Sequence, residues 1–354
     1  MCIRDSSQIA HDHRPHEGAN EITEQKFDTE FKHRSHHRTL FEAGRIVASG
    51  ILASPQQHMS VPLFINPAAG RGKAARMAEP IQQILSVGGV DVTRIESASV
   101  GDLEQRVFDY ASRHPGPIIV AGGDGSVNEA TNGILRAESR TPLGLIPIGT
   151  GNDFAKACGI SLNWETAATL LAHRISKSVQ PRNIDAGRMN ERYFANGIGI
   201  GFDAKVNHIA RKYQWPIGDF VYFVAVLEGL WDGVITPSVT MRYNDVEYRG
   251  AITLANISIG PWVGGMFKIA PMALNDDGHL DLVYAEPISR RRVIALLPKL
   301  LKGSHVGETD IHCAEVESFE LISEAPVPSH MDGESQPLQT EFRIRILKDA
   351  MQII

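Results

Sequence analysis

The chain has 354 residues, 43% of them hydrophobic and 21% charged, with a formal net charge of −6. That length accommodates two domains with real cores, and the negative balance excludes a general nucleic-acid binder, which needs a positive field to gather phosphates. Three cysteines, Cys2, Cys158 and Cys313, lie far apart without CxxC spacing, which excludes a disulfide framework and a cysteine-built zinc site and suits a reducing cytoplasm.

Residues 1–58 hold seven of the 14 histidines, mixed charges and little apolar periodicity. Their one apolar run, IVASGILA at 46–53, is too short to span a membrane and too far in for an ordinary signal peptide. Residues 1–58 are therefore expected to be a disordered or spurious extension, with the functional protein starting near Met59.

From residue 61 the pattern alternates. VPLFIN (61–66), VDVTRIES (90–97), PIIVAGG (117–123) and the start of PLGLIPIGTGND (142–153) predict buried strands. GKAARMAEPIQQILSVGG, GDLEQRVFDYASRH and SVNEATNGIL between them predict helices. Strands separated by helices predict a doubly wound, parallel α/β domain over 59–183. Such folds collect ligands beyond the carboxyl ends of their strands. Three glycine-rich turns fall there: NPAAGRG, GGDGS and GTGND. A lone glycine turn is ordinary punctuation, but three at equivalent strand ends form one rim, where backbone N–H groups approach phosphates without side chains in the way. GxxxxGK[ST] is absent, so the rim is not a P-loop. GIGIGF at 197–202 lacks a clear following helix and is expected to be a strand packed closely against another backbone.

After about residue 183 the rhythm becomes that of antiparallel β-structure. NIDAGRMNERYFANGIGIG predicts a hairpin, and VTMRYNDVEYRG predicts another that turns at Asn244–Asp245. ANISIG, HLDLVYAE, VESFELIS and FRIRIL add strands, and helices interrupt at 220–231 and 290–303. A second, β-rich domain over 184–354 is expected, its last segment returning to the first.

NPAAGRG, GGDGSVNEA, PIGTGNDFA, the DDG of PMALNDDGHLD and the DGE of HMDGE, in that order, resemble the diacylglycerol kinase catalytic family. Soluble bacterial diacylglycerol kinases are nearest in pattern and sphingoid-base kinases more distant. The resemblance spans about 61 to 347 and implies an α/β nucleotide domain, a β-sandwich-like second domain and an active site in the cleft between them. It implies ATP and Mg²⁺ as cofactors and a diacylglycerol-like lipid as acceptor.

Phosphoryl transfer needs positioning, charge neutralisation and a base near the acceptor hydroxyl. The nucleotide contacts implied are Asn66, Pro67, Ala68, Ala69 and Gly70, then Gly122, Gly123, Asp124, Gly125, Ser126, Asn128 and Glu129, with Thr150 and Asn152. Ser97 stands where the family commonly has a threonine. Asp124 and Asp153 are expected beside Mg²⁺, a hard cation that takes oxygen ligands; capping of the helices that follow them is the plainer role. Asp277, with the backbone carbonyls of Leu274 and His279, is implied to hold a structural Mg²⁺, linked through water to Asp153 and Asp124; a simple turn is the alternative for DDG. Asp332 is implied to be the general base, supported by Glu334.

SRRRVIALLPKLLKG combines five cations with apolar residues at helical spacing, the composition of a helix lying on anionic lipid or of a core-facing helix with a solvated basic side. A cytoplasmic enzyme in transient peripheral contact with membrane is expected. Edge strands permit a homodimer. A sphingoid base or another glycerolipid as acceptor, an NAD kinase, and a non-catalytic nucleotide- or lipid-binding regulator are the alternatives carried forward.

Overall fold

Strands β1 (Val61–Ile65), β2 (Val92–Glu96), β3 (Ile118–Gly122) and β4 (Leu143–Pro147) pair in parallel in the order β2-β1-β3-β4. These are the strands of a computed structural model whose described residues are 60–213 and 220–354. The expected extension 1–58 and the start near Met59 lie outside them. All five residues of β3 and of β4 are buried, as strands covered on both faces must be. Helices α1 (Ala69–Val87), α2 (Asp102–Ala111) and α3 (Asp124–Arg136) make the crossovers, and the short α4 (Asp153–Ala157) and α5 (Trp164–Ser176) lead out of β4. Leu63 and Ile65 of β1 pack with α1 and α5, whereas Phe64 packs with α2 and α3, so side-chain alternation splits the core between the two faces. The first helix starts earlier than its periodicity suggests, inside NPAAGRG. The Asn66 side chain accepts from the Ala68 amide at 3.0 Å, and the Asn66 carbonyl accepts from the Ala69 amide at 2.9 Å, which closes the turn.

The second half runs β5 (Arg182–Met189), β6 (Arg192–Phe194), β7 (Gly197–Gly201), α6 (Phe202–Lys212), α7 (Phe220–Asp232), β8 (Ser238–Tyr243), β9 (Val246–Ala251) and β10 (Leu254–Ser258). It continues through β11 (Leu280–Ala285), α8 (Arg290–Lys302), β12 (Ile311–Val316), β13 (Ser318–Val327), β14 (Ser329–Met331), β15 (Glu334–Ser335) and β16 (Gln339–Ile353). One sheet has the order β12-β11-β10-β7-β14-β15. The other extends the parallel sheet as β4-β16-β13-β8-β9, with β5 on β16 and β6 on β5. Ile198, Ile257 and Leu282 of the first meet Met241, Phe319 and Phe342 of the second, giving an antiparallel sandwich core. The fold class is thus an α/β half plus a β-sandwich. Strand β16 shifts register between Leu347 and Met351, and Ile353 then pairs in parallel with Leu143, so one strand serves both halves.

The reading of GIGIGF needs correction. A helix, α6, follows β7 directly. Only part of its close packing is against backbone. A Cβ on Gly201 would lie 2.8 Å from the Thr253 carbonyl, but one on Gly199 would collide with the side chains of Asp203 and His330.

Candidate active site

The three glycine turns come together at the carboxyl edge of β1, β3 and β4. The Ile148 amide donates to the Gly122 carbonyl at 2.8 Å, which lays the β4 turn on the β3 turn. A Cβ on Gly149 would stand 2.6 Å from the Gly123 Cα, and one on Gly70 would collide with the Ile148 carbonyl. Each glycine is where another backbone passes, so the turns form one rim. Gly123, Asp124, Gly125, Thr150 and Gly151 line a single cleft. Helix α3 starts at Asp124 with no side chain capping its first turn among the described residues, and its amides are available to an anion.

Two carboxylates sit in this rim. Asp124 accepts from the Phe154 amide at 3.1 Å, and burial, then the neighbouring Asp153, pushes its pKa up to about 7. Asp153 accepts from the Gly265 amide at 3.0 Å and pairs with Lys156 at 3.3 Å; burial nevertheless raises its carboxyl above the ordinary range. The capping role expected of both is therefore displaced: Asp124 caps α4 rather than its own helix, and Asp153 takes an amide from a distant loop. One oxygen of each faces Gly151, while the buried Asn152 Oδ1, beside Gly149, has no partner among the described residues. Two carboxylate oxygens on one side of the cleft would suit a hard cation such as Mg²⁺, which takes oxygen ligands. No group of three or more metal-ligating side chains occurs among the described residues, so a closed protein cage is not what these residues offer.

The late DGE turn reaches the same cleft from the other half. Asp332 sits at φ +47°, on the left-handed turn between β14 and β15, and is buried. Its carboxylate takes four N–H donors: Asn128 Nδ2 and the Ala195 amide at 2.9 Å on Oδ2, and the Asn196 and Gly197 amides at 2.8 and 2.9 Å on Oδ1. Burial pushes the carboxyl above the ordinary range while these four donors pull against that shift. Asn128 belongs to α3, so the glycine-turn motif that opens this helix also holds the Asp332 carboxylate. Glu334 arches over Gly125, where a Cβ would come within 2.7 Å of its Oε1, and pairs with Arg211 at 2.5 Å.

Helix α6 holds this hairpin through three residues spaced by four. Asp203 pairs with His330 at 3.1 Å, Asn207 Nδ2 donates to the Gly333 carbonyl at 2.8 Å, and Arg211 donates to the same carbonyl at 3.1 Å. Burial alone raises the Asp203 carboxyl, yet its His330 and Asn256 partners hold it below the ordinary range. None of these residues stands out in the sequence. The spacing D-x₃-N-x₃-R is readable, but only once a helix is recognised behind GIGIGF.

Other expected contacts lie at varying distances from the cleft wall. Ser126 turns back on Gly122, so its hydroxyl would collide with any side chain there. Glu129 takes the amide of Glu104 at 3.2 Å at the start of α2. Burial raises its carboxyl, against the amides of Gly101, Glu104 and Leu103. Asn66, Pro67, Ala68 and Ala69 sit at the first turn, and Ser97 beside them, its amide on the Ile65 carbonyl at 2.9 Å. Asp277 does not line the cleft with Asp124, Asp153 and Asp332. It closes an Asx-turn by accepting from the His279 amide at 2.9 Å, with the half-exposed Asp281 as a neighbour. Leu274 is exposed.

The whole cleft encloses about 310 Å³, and beyond Asp332 it continues into an apolar cavity walled by Phe202 and Val206 of α6, Val226 of α7, Val293 and Leu297 of α8, and Phe267 of the β10–β11 connection. One end is therefore built of backbone amides and carboxylates, the other of hydrocarbon.

Residues 60–184 match the family model described as the diacylglycerol kinase catalytic domain, and 196–354 match the YegS C-terminal NAD kinase beta sandwich-like domain. A diacylglycerol kinase of Mycobacterium tuberculosis is 29% identical over 297 residues, 83% of this chain and 94% of that protein. One of Bacillus subtilis is 28% identical over 273 residues, 77% of this chain and 88% of that protein. A crystal structure of a diacylglycerol kinase from Bacillus anthracis is similar with a TM-score of 0.65 at 25% identity, covering 83% of this chain and 96% of that one. With motifs, turn geometry, sandwich half and relatives all in agreement, residues 60–184 carry a diacylglycerol kinase catalytic domain and the chain is a lipid kinase.

Proposed function

We propose that this enzyme transfers the γ-phosphate of ATP to the free hydroxyl of a diacylglycerol, giving phosphatidic acid. The observation that carries the reading is the continuity of one cleft from the glycine turns, past Asp332, into an apolar cavity. The turn amides and the α3 N-terminus hold the phosphates. Asp124 and Asp153 would hold Mg²⁺, which would supply charge neutralisation for the transferring phosphate. The acyl portion lies in the cavity between α6, α7 and α8, which sets the hydroxyl near Asp332. Asp332 takes the hydroxyl proton as the oxygen attacks phosphorus, and ADP leaves in line. Four donors saturate that carboxylate, so accepting the proton requires one of them to give way; Asn128 is the only side chain among them. Glu334, anchored by Arg211, fixes the turn that carries Asp332.

Asp277, with the Leu274 and His279 carbonyls, is proposed to hold a structural Mg²⁺. The enzyme works from the cytoplasm in peripheral contact with membrane, and no helix among the described residues is long and apolar enough to cross one. The deciding assay offers labelled ATP and Mg²⁺ with diacylglycerol, a sphingoid base, other glycerolipids and NAD as separate acceptors. Label in phosphatidic acid is expected. Transfer to NAD alone, or to no acceptor, would sink the proposal.

A further inference from the structure

Helix α7 is apolar nearly all round, yet it lies at the surface. Its inner side, with Val221, Ala225, Val226 and Leu230, packs into the cluster that walls the acceptor cavity. Its outer side carries Phe220 (53% exposed), Leu227 (44%) and Trp231 (85%), at i, i+7 and i+11, on one stripe. A soluble surface helix normally puts polar residues there.

Helix α8 repeats the arrangement. Val293 and Leu297 face the cavity, while Ile294 and Leu301 are exposed. Its five cations divide into two sets. Arg292 pairs with Glu308 and Asp310, and Lys299 with Glu308, so both are tied to the molecule's own carboxylates. Arg290, Arg291 and Lys302 are exposed at the two ends of the apolar stripe, and no ion pair engages them among the described residues. Arg290 also reaches α7: its Nη2 lies 3.6 Å from where a Cβ on Gly233 would be, just past the end of that helix. The basic end of α8 and the Trp231 end of α7 therefore adjoin.

We propose that the outer faces of α7 and α8 form a docking surface for an anionic lipid bilayer, with Trp231 and Leu227 entering the interface and Arg290 and Arg291 at the headgroups. The inference rests on the lipid-kinase reading and deepens it by naming the face. Apolar residues outside free cations match a bilayer whose surface is negative and whose boundary region is apolar. A tryptophan at the end of the stripe suits the boundary between headgroup and hydrocarbon. Because the same two helices wall the cavity, docking by this face places the acceptor site directly behind the bilayer contact. The surface expected at α8 alone is thereby moved: α7 supplies the insertion and α8 mainly the charge.

The test is flotation of the full chain with vesicles of phosphatidylglycerol and phosphatidylcholine, against vesicles of phosphatidylcholine alone. Trp231→Lys and Leu227→Lys should each weaken partitioning at least about tenfold with unchanged melting temperature, since each places a charge where an apolar group inserts. The pair Arg290→Glu and Arg291→Glu should remove the preference for the anionic vesicles and its decline with salt. Unchanged binding in both kinds of variant overturns the proposal. So does a wild-type chain that ignores anionic vesicles, or one that light scattering finds as a dimer which Trp231→Lys dissociates, because a second copy would then be the occupant. Flotation counts bound protein, not product. A chain that docks through Trp231 but phosphorylates no lipid would leave this surface standing and remove only the kinase reading.

Discussion

The α/β half and the sandwich half line one cleft with different materials. In the first, the wall is backbone: Gly70, Gly123 and Gly149 are places where another main chain comes too close for a Cβ. In the second, the wall is side chains from elements far apart in sequence, including α6, α7, α8 and β14. A phosphate is recognised by amides and a helix terminus, which local sequence builds. A lipid is recognised by shape and hydrocarbon, which only tertiary packing builds. The chemistry is expected where the two materials meet, at Asp332, so substitutions on either side and at the junction should fail differently.

The junction should fail hardest. Asp332→Asn removes the proton acceptor and should lower turnover by about 10³, within the range general-base loss produces. It should also cost stability. An asparagine keeps one acceptor oxygen but turns an amide N–H₂ toward two of the donors that held the carboxylate. Leaving those donors opposed and buried costs on the order of 1–3 kcal/mol. Asp332→Asn is thus not a silent knockout, and a melting scan beside the assay separates the two effects. Residual turnover above a few per cent would remove Asp332 from the mechanism.

On the α/β side, Asp124→Asn should trade activity for stability. The folded pKa of about 7 lies above the unfolded value of 3.8, so the native state resists ionisation. Between those two values the native chain binds more protons than the unfolded one, and stability falls as pH rises through the window. At pH 8 without metal the wild type carries the whole penalty, at most about 4 kcal/mol. The uncharged amide removes it and keeps an oxygen for the Phe154 amide. Metal-free D124N should therefore melt above wild type at pH 8 and level with it near pH 4, while Mg²⁺-dependent turnover drops by about 10² or more, as losing a ligand at a transferring phosphate implies. A variant that melts lower at pH 8 would show that Asp124 is not under electrostatic strain.

These two sites also mark what is legible in the sequence. Gly122–Gly125 and Gly149–Asn152 can be read because steric demands at strand ends are local and leave glycine as the only solution. The alternation of strand and helix yields the parallel sheet for the same reason. The partner of Asp332 cannot be read that way: Asn128 lies 204 positions away, and Asp203 lies 127 positions from His330. No periodicity carries such a pairing. Helix α6 is hidden because three alternating glycines look like the end of an element, when the middle one, Gly199, leaves room for Asp203 and His330. The cavity is invisible because α7 reads equally well as an ordinary core helix.

A smaller change on the backbone side should isolate the nucleotide. Gly149→Ala sets a methyl 2.6 Å from the Gly123 Cα, and main chain rather than a flexible side chain must move. Separating the two turns should raise KM for ATP by about tenfold to a hundredfold, as overpacking by 1–3 kcal/mol predicts. KM for the lipid should change little, because Gly149 lies at the opposite end of the cleft from the cavity. Equal changes in both would mean that the two materials are mechanically coupled through β16 rather than independent.

The smallest effect is expected at Ser97. It follows β2, at the outer edge of the rim, only half-buried and absent from the cleft wall. Its backbone is already secured by the Ile65 carbonyl, so removing the hydroxyl leaves the turn in place. One neutral hydrogen bond at a site that water reaches contributes about 0.5–1 kcal/mol, and Ser97→Ala should raise KM for ATP only about two- to fivefold. Ser97→Thr should bind ATP at least as tightly as wild type, since the added methyl limits rotation of the same hydroxyl. A loss from Ser97→Ala as large as that from Gly149→Ala would contradict the division between the two walls. It would mean that a side chain, and not the bare main chain, carries phosphate recognition on this side of the cleft.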